Sequence, residues 1–178
     1  MTDPARFEAF VREYQDMVFA TAVRLVGREA DAEDVAQTVF MRTFEAFAQL
    51  EGNPATPGWL KTVTRNLCLN HLSRYRARWQ FFSEIDDAGD GQTLEARIAL
   101  MSAPAQDTEQ AERQDRLERA LRGLPDHQRV PLVLHHFEEM SYQEIADTLK
   151  ISVAKVKTDM HRGRGALKKV LGDLHGSR

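Results

Sequence analysis

Residues 141–171, SYQEIADTLKISVAKVKTDMHRGRGALKKVL, decide the fold. Ser141 and Glu144 stand in the S-x-x-E spacing of a capping box, in which the serine oxygen accepts a backbone N–H one turn on and the glutamate reaches back to the cap. The box predicts a short helix with Ile145, Ala146 and Leu149 as its apolar face. A three-residue break, Lys150-Ile151-Ser152, follows. Ser152 is placed to cap a second helix that carries Val153, Val156, Met160, Leu167, Val170 and Leu171 near one face and Lys155, Lys157, Arg162 and Arg164 elsewhere. This is helix-turn-helix spacing: the first helix braces, the turn sets the crossing angle, and the exposed N-terminal half of the second enters a major groove. An ordinary helical hairpin with a solvated basic face shares the apolar pattern. The charge distribution favours DNA, because Lys150–Arg178 holds 8 basic residues against 2 acidic ones.

Working outward, nearly every periodic segment reads as helix. Leu117, Leu121 and Leu124 lead into Pro125, which opens a helix through Val130, Leu132, Val133, Leu134 and Phe137. Pro131 inside it has no N–H to give, which predicts a kink or a late start. Near the N-terminus, Asp3 can cap a helix whose first residue is Pro4 and whose stripe is Phe7, Phe10, Val11, Tyr14, Met17, Val18 and Leu25; Gly27 sits at its end. A second helix is expected from Asp31, as its cap, through Val35, Val39, Thr43 and Phe47, stopped by Glu51-Gly52-Asn53-Pro54. A third is expected behind Thr56 and Pro57, from Trp59 through Val63 and Leu67 toward Tyr75. No strand alternation competes. The predicted fold is all-α: two small helical domains, 4–80 and 112–174, joined by a flexible linker over 81–111.

The chain has 178 residues, 42% hydrophobic and 29% charged, enough for real cores but not for a large multidomain enzyme. No apolar run approaches about 18 residues, so no membrane insertion is expected. The single cysteine, Cys68, excludes a disulfide framework, and the start MTDPARFEAF lacks a basic head followed by an apolar stretch; a reducing cytoplasm is the expected home. Net charge is −3, but unevenly spread: residues 1–80 balance 10 basic against 10 acidic, 81–112 hold 1 against 8, and 113–178 hold 13 against 9.

Two further constellations stand out. Residues 60–79, LKTVTRNLCLNHLSRYRARW, contain 5 basic residues and no acid. Arg65, Arg74, Arg76 and Arg78 alternate with Trp59, His71, Tyr75 and Trp79, a pattern that suits single-stranded nucleic acid, since arginines neutralise phosphates while rings stack on unpaired bases. Trp59 by itself reads as core, the Arg74–Arg78 cluster as binding. The helix 31–47 has an acidic start and carries Gln37, Phe40 and Arg42 outside its Val35/Val39 stripe, a possible docking face, although acids in a first turn follow from the helix dipole alone.

Catalysis fares poorly. Cys68 and His71 are spaced i, i+3 but have no orienting partner or oxyanion loop. His135, His136 and Glu139 hint at a metal, yet adjacent histidines leave a helix in different directions. Asp86, Asp90 and Gly91 evoke a calcium loop in which Ala88 and Arg97 occupy ligand positions. Neither a G-x-G-x-x-G nor a P-loop is present. No catalytic residue, metal or cofactor is expected.

Together DAEDVAQTVFMRTFEAF (31–47), PGWLKTVTRNLCLNHLSRYR (57–76) and the segment from Leu124 to Leu171 resemble, in order and spacing, the extracytoplasmic-function (group 4) sigma factors of bacterial RNA polymerase, which consist of σ2 and σ4 domains and a linker. The resemblance covers most of the chain. It implies a non-enzymatic subunit that binds core polymerase through the β′ clamp helices and the β flap and directs promoter-specific initiation. Asp34, Gln37, Phe40 and Arg42 would then lie on the clamp-binding surface. The loop 51–57 and the helix after it, with Trp59, Lys61, Arg65, Asn66, Asn70, Arg74, Arg76 and Arg78, would recognise and melt the −10 element, with a pocket for a flipped base in that loop. Ser152, Val153, Ala154, Lys155, Lys157, Thr158, His161, Arg162 and Arg164 would read the −35 element. The acidic linker would thread toward the RNA exit path, and an anti-sigma factor would hold the protein inactive.

Some positions depart from the family pattern. Asp159 stands where a basic or neutral residue is usual and would repel phosphate if it faced DNA. Lys150 replaces a frequent glycine, at a cost of about 1 kcal/mol if its backbone is left-handed. Gly163 and Gly165 weaken a helix by up to about 1 kcal/mol each. Two other functions use the same residues: a stand-alone helix-turn-helix regulator of a palindromic site, and a sigma mimic that sequesters a regulatory partner, which Asp159 would favour.

Overall fold

Capping and periodicity place the first helix where expected. In the computed structural model, which describes residues 1–73 and 108–172, α1 spans Pro4–Val26. The Asp3 side chain accepts the Ala5 N–H at 3.0 Å, Pro4 is the first residue, and Gly27 ends the helix at φ 79, a left-handed position that favours glycine. The next three helices are α2 (Glu29–Glu45), α3 (Phe47–Leu50) and α4 (Thr56–Ser73). Helix α2 begins two residues before Asp31, which therefore does not cap it; instead the Asp31 carboxylate lies 3.5 Å from His71 Nε2 on α4. The expected run to Phe47 breaks at Ala46, and Phe47 starts the separate turn α3. Helix α4 starts at Thr56, three residues before Trp59, because Asn53 turns the chain ahead of it: its Oδ1 accepts the Ala55 N–H at 2.9 Å.

Helices α1, α2 and α4 pack on one another. Val18, Ala22 and Leu25 of α1, Val35 and Val39 of α2, and Leu60, Cys68 and Leu72 of α4 fill the interior. Three buried threonines satisfy their hydroxyls locally: Thr43 donates to Val39 O, Thr64 to Leu60 O and Thr56 to Leu50 O, at 2.6–2.7 Å. Phe7, Phe10, Phe44 and Phe47 close one end, with Phe7 edge-on to Phe44 and Phe47 at 5.0 and 5.3 Å.

The second unit contains α5 (Glu109–Gly123), α6 (Asp126–His136), α7 (Tyr142–Leu149) and α8 (Val153–Gly172). Thr108 caps α5 through the Ala111 N–H, so this helix begins at Glu109, inside the stretch expected to be linker; 81–107 and the Asp86–Arg97 loop lie outside the described residues. Helix α6 continues through Pro131. Its Arg129, 2% exposed, is held by Leu124 O at 2.9 Å and Asp126 Oδ1 at 2.5 Å, which pays the desolvation of a buried guanidinium. Val130, Val133, Leu134, Ile145, Leu149, Val156 and Met160 form the core. All regular structure among the described residues is helical, and no described helix is long and apolar enough to cross a membrane.

Candidate nucleic-acid interface

The helix-turn-helix is built from its caps. Ser141 Oγ accepts the Glu144 N–H at 3.1 Å while Glu144 Oε2 accepts the Ser141 N–H at 2.9 Å, so both halves of the capping box are made. Lys150 ends α7 at φ 57, ψ 46, and the N–H groups of Lys150 and Ile151 both return to the Ala146 carbonyl, a Schellman-type closure achieved without glycine. Ser152 Oγ then accepts the Lys155 N–H at 3.1 Å and starts α8.

Helical spacing puts Ala154, Lys157, Thr158, His161 and Arg162 on one face of α8, and all five are exposed, as is Ser152 before them. Val153 and Lys155 are half-buried. Asp159 does not face outward: it is 1% exposed, and its Oδ2 lies 2.5 Å from Lys155 Nζ. A carboxylate so placed presents no charge to a phosphate. Farther along, Arg164 Nη2 lies 3.2 Å from His136 Nε2 on α6. Burial first, then the Arg164 guanidinium and His135, hold the His136 imidazole below its ordinary value, so its neutral ring is the acceptor. The His135 and His136 rings nevertheless touch edge to face at 4.9 Å, because side chains leaving a helix in different directions can still reach sideways.

Gly163 is no defect. A Cβ there would come within 2.7 Å of Leu132 Cδ1 on α6, so the two helices approach too closely for a side chain; at Gly165 a Cβ would meet nothing within 4 Å.

In the first unit the residues expected at the −10 element divide over α4. Trp59, Asn66 and Asn70 share one face, with both asparagines exposed and Trp59 half-buried; Lys61 and Arg65, four apart, flank the buried stripe. Arg74, Arg76 and Arg78 lie outside the described residues. Next to the start of α4, the loop Glu51–Pro54 and the α1 residues Arg6, Ala9, Phe10, Glu13 and Tyr14 line a cleft of about 470 Å³. Arg6 Nη2 bridges to Glu51 Oε2 at 2.7 Å across it. Burial, and secondarily the Glu13 carboxylate, raise the Tyr14 hydroxyl above its ordinary pKa, so it remains a donor.

On α2, Asp34 and Gln37 are exposed, Phe40 is half-buried, and Arg42 is exposed but turned away from them. The face shared by Asp34 and Gln37 also carries Met41, 70% exposed, and Phe44, 49% exposed, both unremarked by the periodicity argument. The signal was present, since both are large apolar residues outside the Val35/Val39/Thr43 stripe. Cys68 and His71 do not form a dyad: the Cys68 sulfur is buried 4.0 Å from Ala22 O, and His71 turns to Asp31.

Sequence comparison gives this arrangement a class, that of sigma-70 proteins, through two regions of the chain. Residues 10–78 match the family model for sigma-70 region 2, and residues 114–167 that for sigma-70 region 4. The ECF RNA polymerase sigma factor SigW of Bacillus subtilis is 30% identical over 97% of this chain and 92% of its own length. The RNA polymerase sigma-H factor of Pseudomonas aeruginosa is 31% identical over 97% of this chain and 89% of its own. Among solved structures, the sigma factor RpoE of Bartonella quintana, crystallised with the anti-sigma factor NepR, aligns with TM-score 0.48 and 21% identity over 97% of this chain and 98% of that one. The chain belongs to the extracytoplasmic-function sigma factors of the sigma-70 family. It is accordingly an initiation factor and not an enzyme, with core RNA polymerase and promoter DNA as its partners.

Proposed function

We propose that the first unit, 4–80, docks on core polymerase and opens the −10 element while the second, expected over 112–174 and extended back to the Thr108 cap of α5, reads the −35 element, with the remainder of 81–111 as the acidic connection between them. The observation that carries this is the capped helix-turn-helix, whose α8 leaves Ala154, Lys157, Thr158, His161 and Arg162 exposed on one face at its N-terminal half. Ser152, Val153 and Arg164 flank that face. The exposed apolar pair Met41 and Phe44 beside Asp34 and Gln37 supports a protein-docking role for α2 toward the β′ clamp helices, with Phe40 and Arg42 at its margin. The β flap is the partner assigned to the second unit. Trp59, Asn66 and Asn70 are assigned to unpaired bases, and Lys61, Arg65, Arg74, Arg76 and Arg78 to the backbone. The cleft between α1 and the loop 51–54 is the site proposed for an extruded base, with Tyr14, Glu13 and Asn53 as polar partners. An anti-sigma factor is the proposed regulator and the cytoplasm the proposed compartment.

The reading is tested by mixing the protein with sigma-free core polymerase and mapping transcripts from genomic fragments. A stable complex with initiation at discrete sites is expected, and failure to bind cognate core would overturn the assignment in favour of a stand-alone regulator. Asp34→Ala with Gln37→Ala is expected to lose competition for core; wild-type competition removes the docking face. Arg162→Ala is expected to weaken use of the −35 element and to lower the salt slope of duplex binding by about one.

A further inference from the structure

Among the nine residues assigned to the −35 element, Lys155 differs in where its charge goes. It sits in the first turn of α8, at the end that enters the groove between the phosphate backbones, yet its side chain keeps only 19% of its exposure and its Nζ lies 2.5 Å from Asp159 Oδ2. Asp159 is one turn further on, directed into the interface with α6, and the Asp159 side chain is 2% exposed. The floor of this interface is His127 of α6, itself 8% exposed and with no hydrogen bond at Nε2. Desolvation lowers its pKa, with Asp159 opposing and Lys155 reinforcing the shift, so at neutral pH the ring is uncharged and supplies no second cation for the carboxylate. Lys155 is therefore the cation that offsets Asp159, and leaving the pair strands a carboxylate in a nearly dry interface.

We infer that Asp159 is a specificity-setting residue that acts through Lys155: it withholds one lysine from the DNA backbone and so lowers the sequence-independent part of binding by α8. Phosphate contacts add affinity to every sequence equally, whereas base contacts discriminate. A recognition helix that ties down one of its lysines binds random DNA less and leaves a larger share of its affinity to the base-facing side chains among Ala154, Lys157, Thr158 and His161. The departure from the family pattern at Asp159 then has a use that does not involve facing DNA.

This inference rests on α8 being the DNA-facing helix, and the test separates the two. The full chain is titrated against a mixed-sequence 30-base-pair duplex by fluorescence anisotropy across a salt series. Asp159→Asn keeps the side-chain shape, removes the charge and frees Lys155, whose long stem reaches solvent easily. Its salt slope is expected to steepen by about 0.9, so that raising salt from 50 to 200 mM costs the variant about 3-fold more affinity than it costs wild type. The double variant Lys155→Met with Asp159→Leu, which carries no buried charge, is expected to return to the wild-type slope. A folded Asp159→Asn with an unchanged slope, or a steepening that persists in the double variant, overturns the inference. If Asp159→Asn fails to fold, the double variant still decides: a slope shallower than wild type by about 0.9 means Lys155 already touches phosphate, and the inference fails. The Arg162→Ala control reports on the helix instead, since a slope it leaves unaltered removes that residue from the DNA face while core competition tests the sigma assignment separately.

Discussion

Helices α4 and α8, the two proposed to meet nucleic acid, are seated differently. The buried residues of α4 are Thr56, Leu60, Thr64, Cys68, Leu69 and Leu72, apolar apart from two threonines, Thr64 bonded within its own helix and Thr56 to Leu50 O. The buried stripe of α8 is Val156, Asp159, Met160 and Gly163: two hydrophobes, a paired acid and a glycine in close helix contact. A helix held by an ordinary stripe takes its stability from area, whereas α8, whose charge pair closes within its own turn and whose Gly163 lies against Leu132 of α6, takes its position from close approach. The second arrangement suits a reading head, whose angle to its bracing helices decides which side chains reach the groove.

The largest expected effects are on the stripes themselves. Leu60→Ala and Met160→Ala each empty a site with 0% exposure, and each is expected to cost about 2–5 kcal/mol in chemical unfolding of the full chain. Equal losses support comparable apolar cores, and a loss at Met160 below that range would show α8 held mainly by its polar contacts. Gly163→Ala is a finer probe. Crowding against Leu132 costs about 1–3 kcal/mol and improved helix propensity returns up to about 1 kcal/mol, so a net loss near 1 kcal/mol is expected. Gly165→Ala, two residues on and in open space, is expected to gain up to about 1 kcal/mol in the same assay. Two gains would mean that the close approach to α6 is not a constraint.

The smallest effect is in pH. His127 and His136, both in the second unit, have folded pKa values lowered chiefly by burial, so the unfolded chain binds more protons as pH falls through the ordinary histidine value. Their native environments thus favour folding above that value and lose part of the advantage below it. Thermal unfolding followed from pH 7.5 to 5.5 is expected to shift downward, and less so in His127→Leu. An identical shift in that variant would remove His127 as a source.

Much of this was legible because short-range rules carried it. The capping box at Ser141, the Asp3 cap with Pro4 and the stop at Gly27 each depend on neighbours within one turn, and each is where the spacing put it. The misses are cases in which a side chain had a tertiary alternative. Asp31 had the signature of a cap but faces His71 of another helix, and Asn53 set the start of α4 from beyond the expected boundary. Met41 and Phe44 escape a stripe argument because it looks for what is buried, and exposed apolar residues are what the stripe leaves out.

By itself the sequence determined the all-α class, the helix-turn-helix, the concentration of charge and the family, because these rest on periodicity, caps and motif order along one chain. Only tertiary structure decided the meaning of Asp159, Lys155 and Gly163. On a helical wheel these are a misplaced acid, an available base and a helix breaker. Packed against α6 they become a buried charge, the cation that offsets it and the space the contact requires, because desolvation and close approach are properties of what lies opposite a residue.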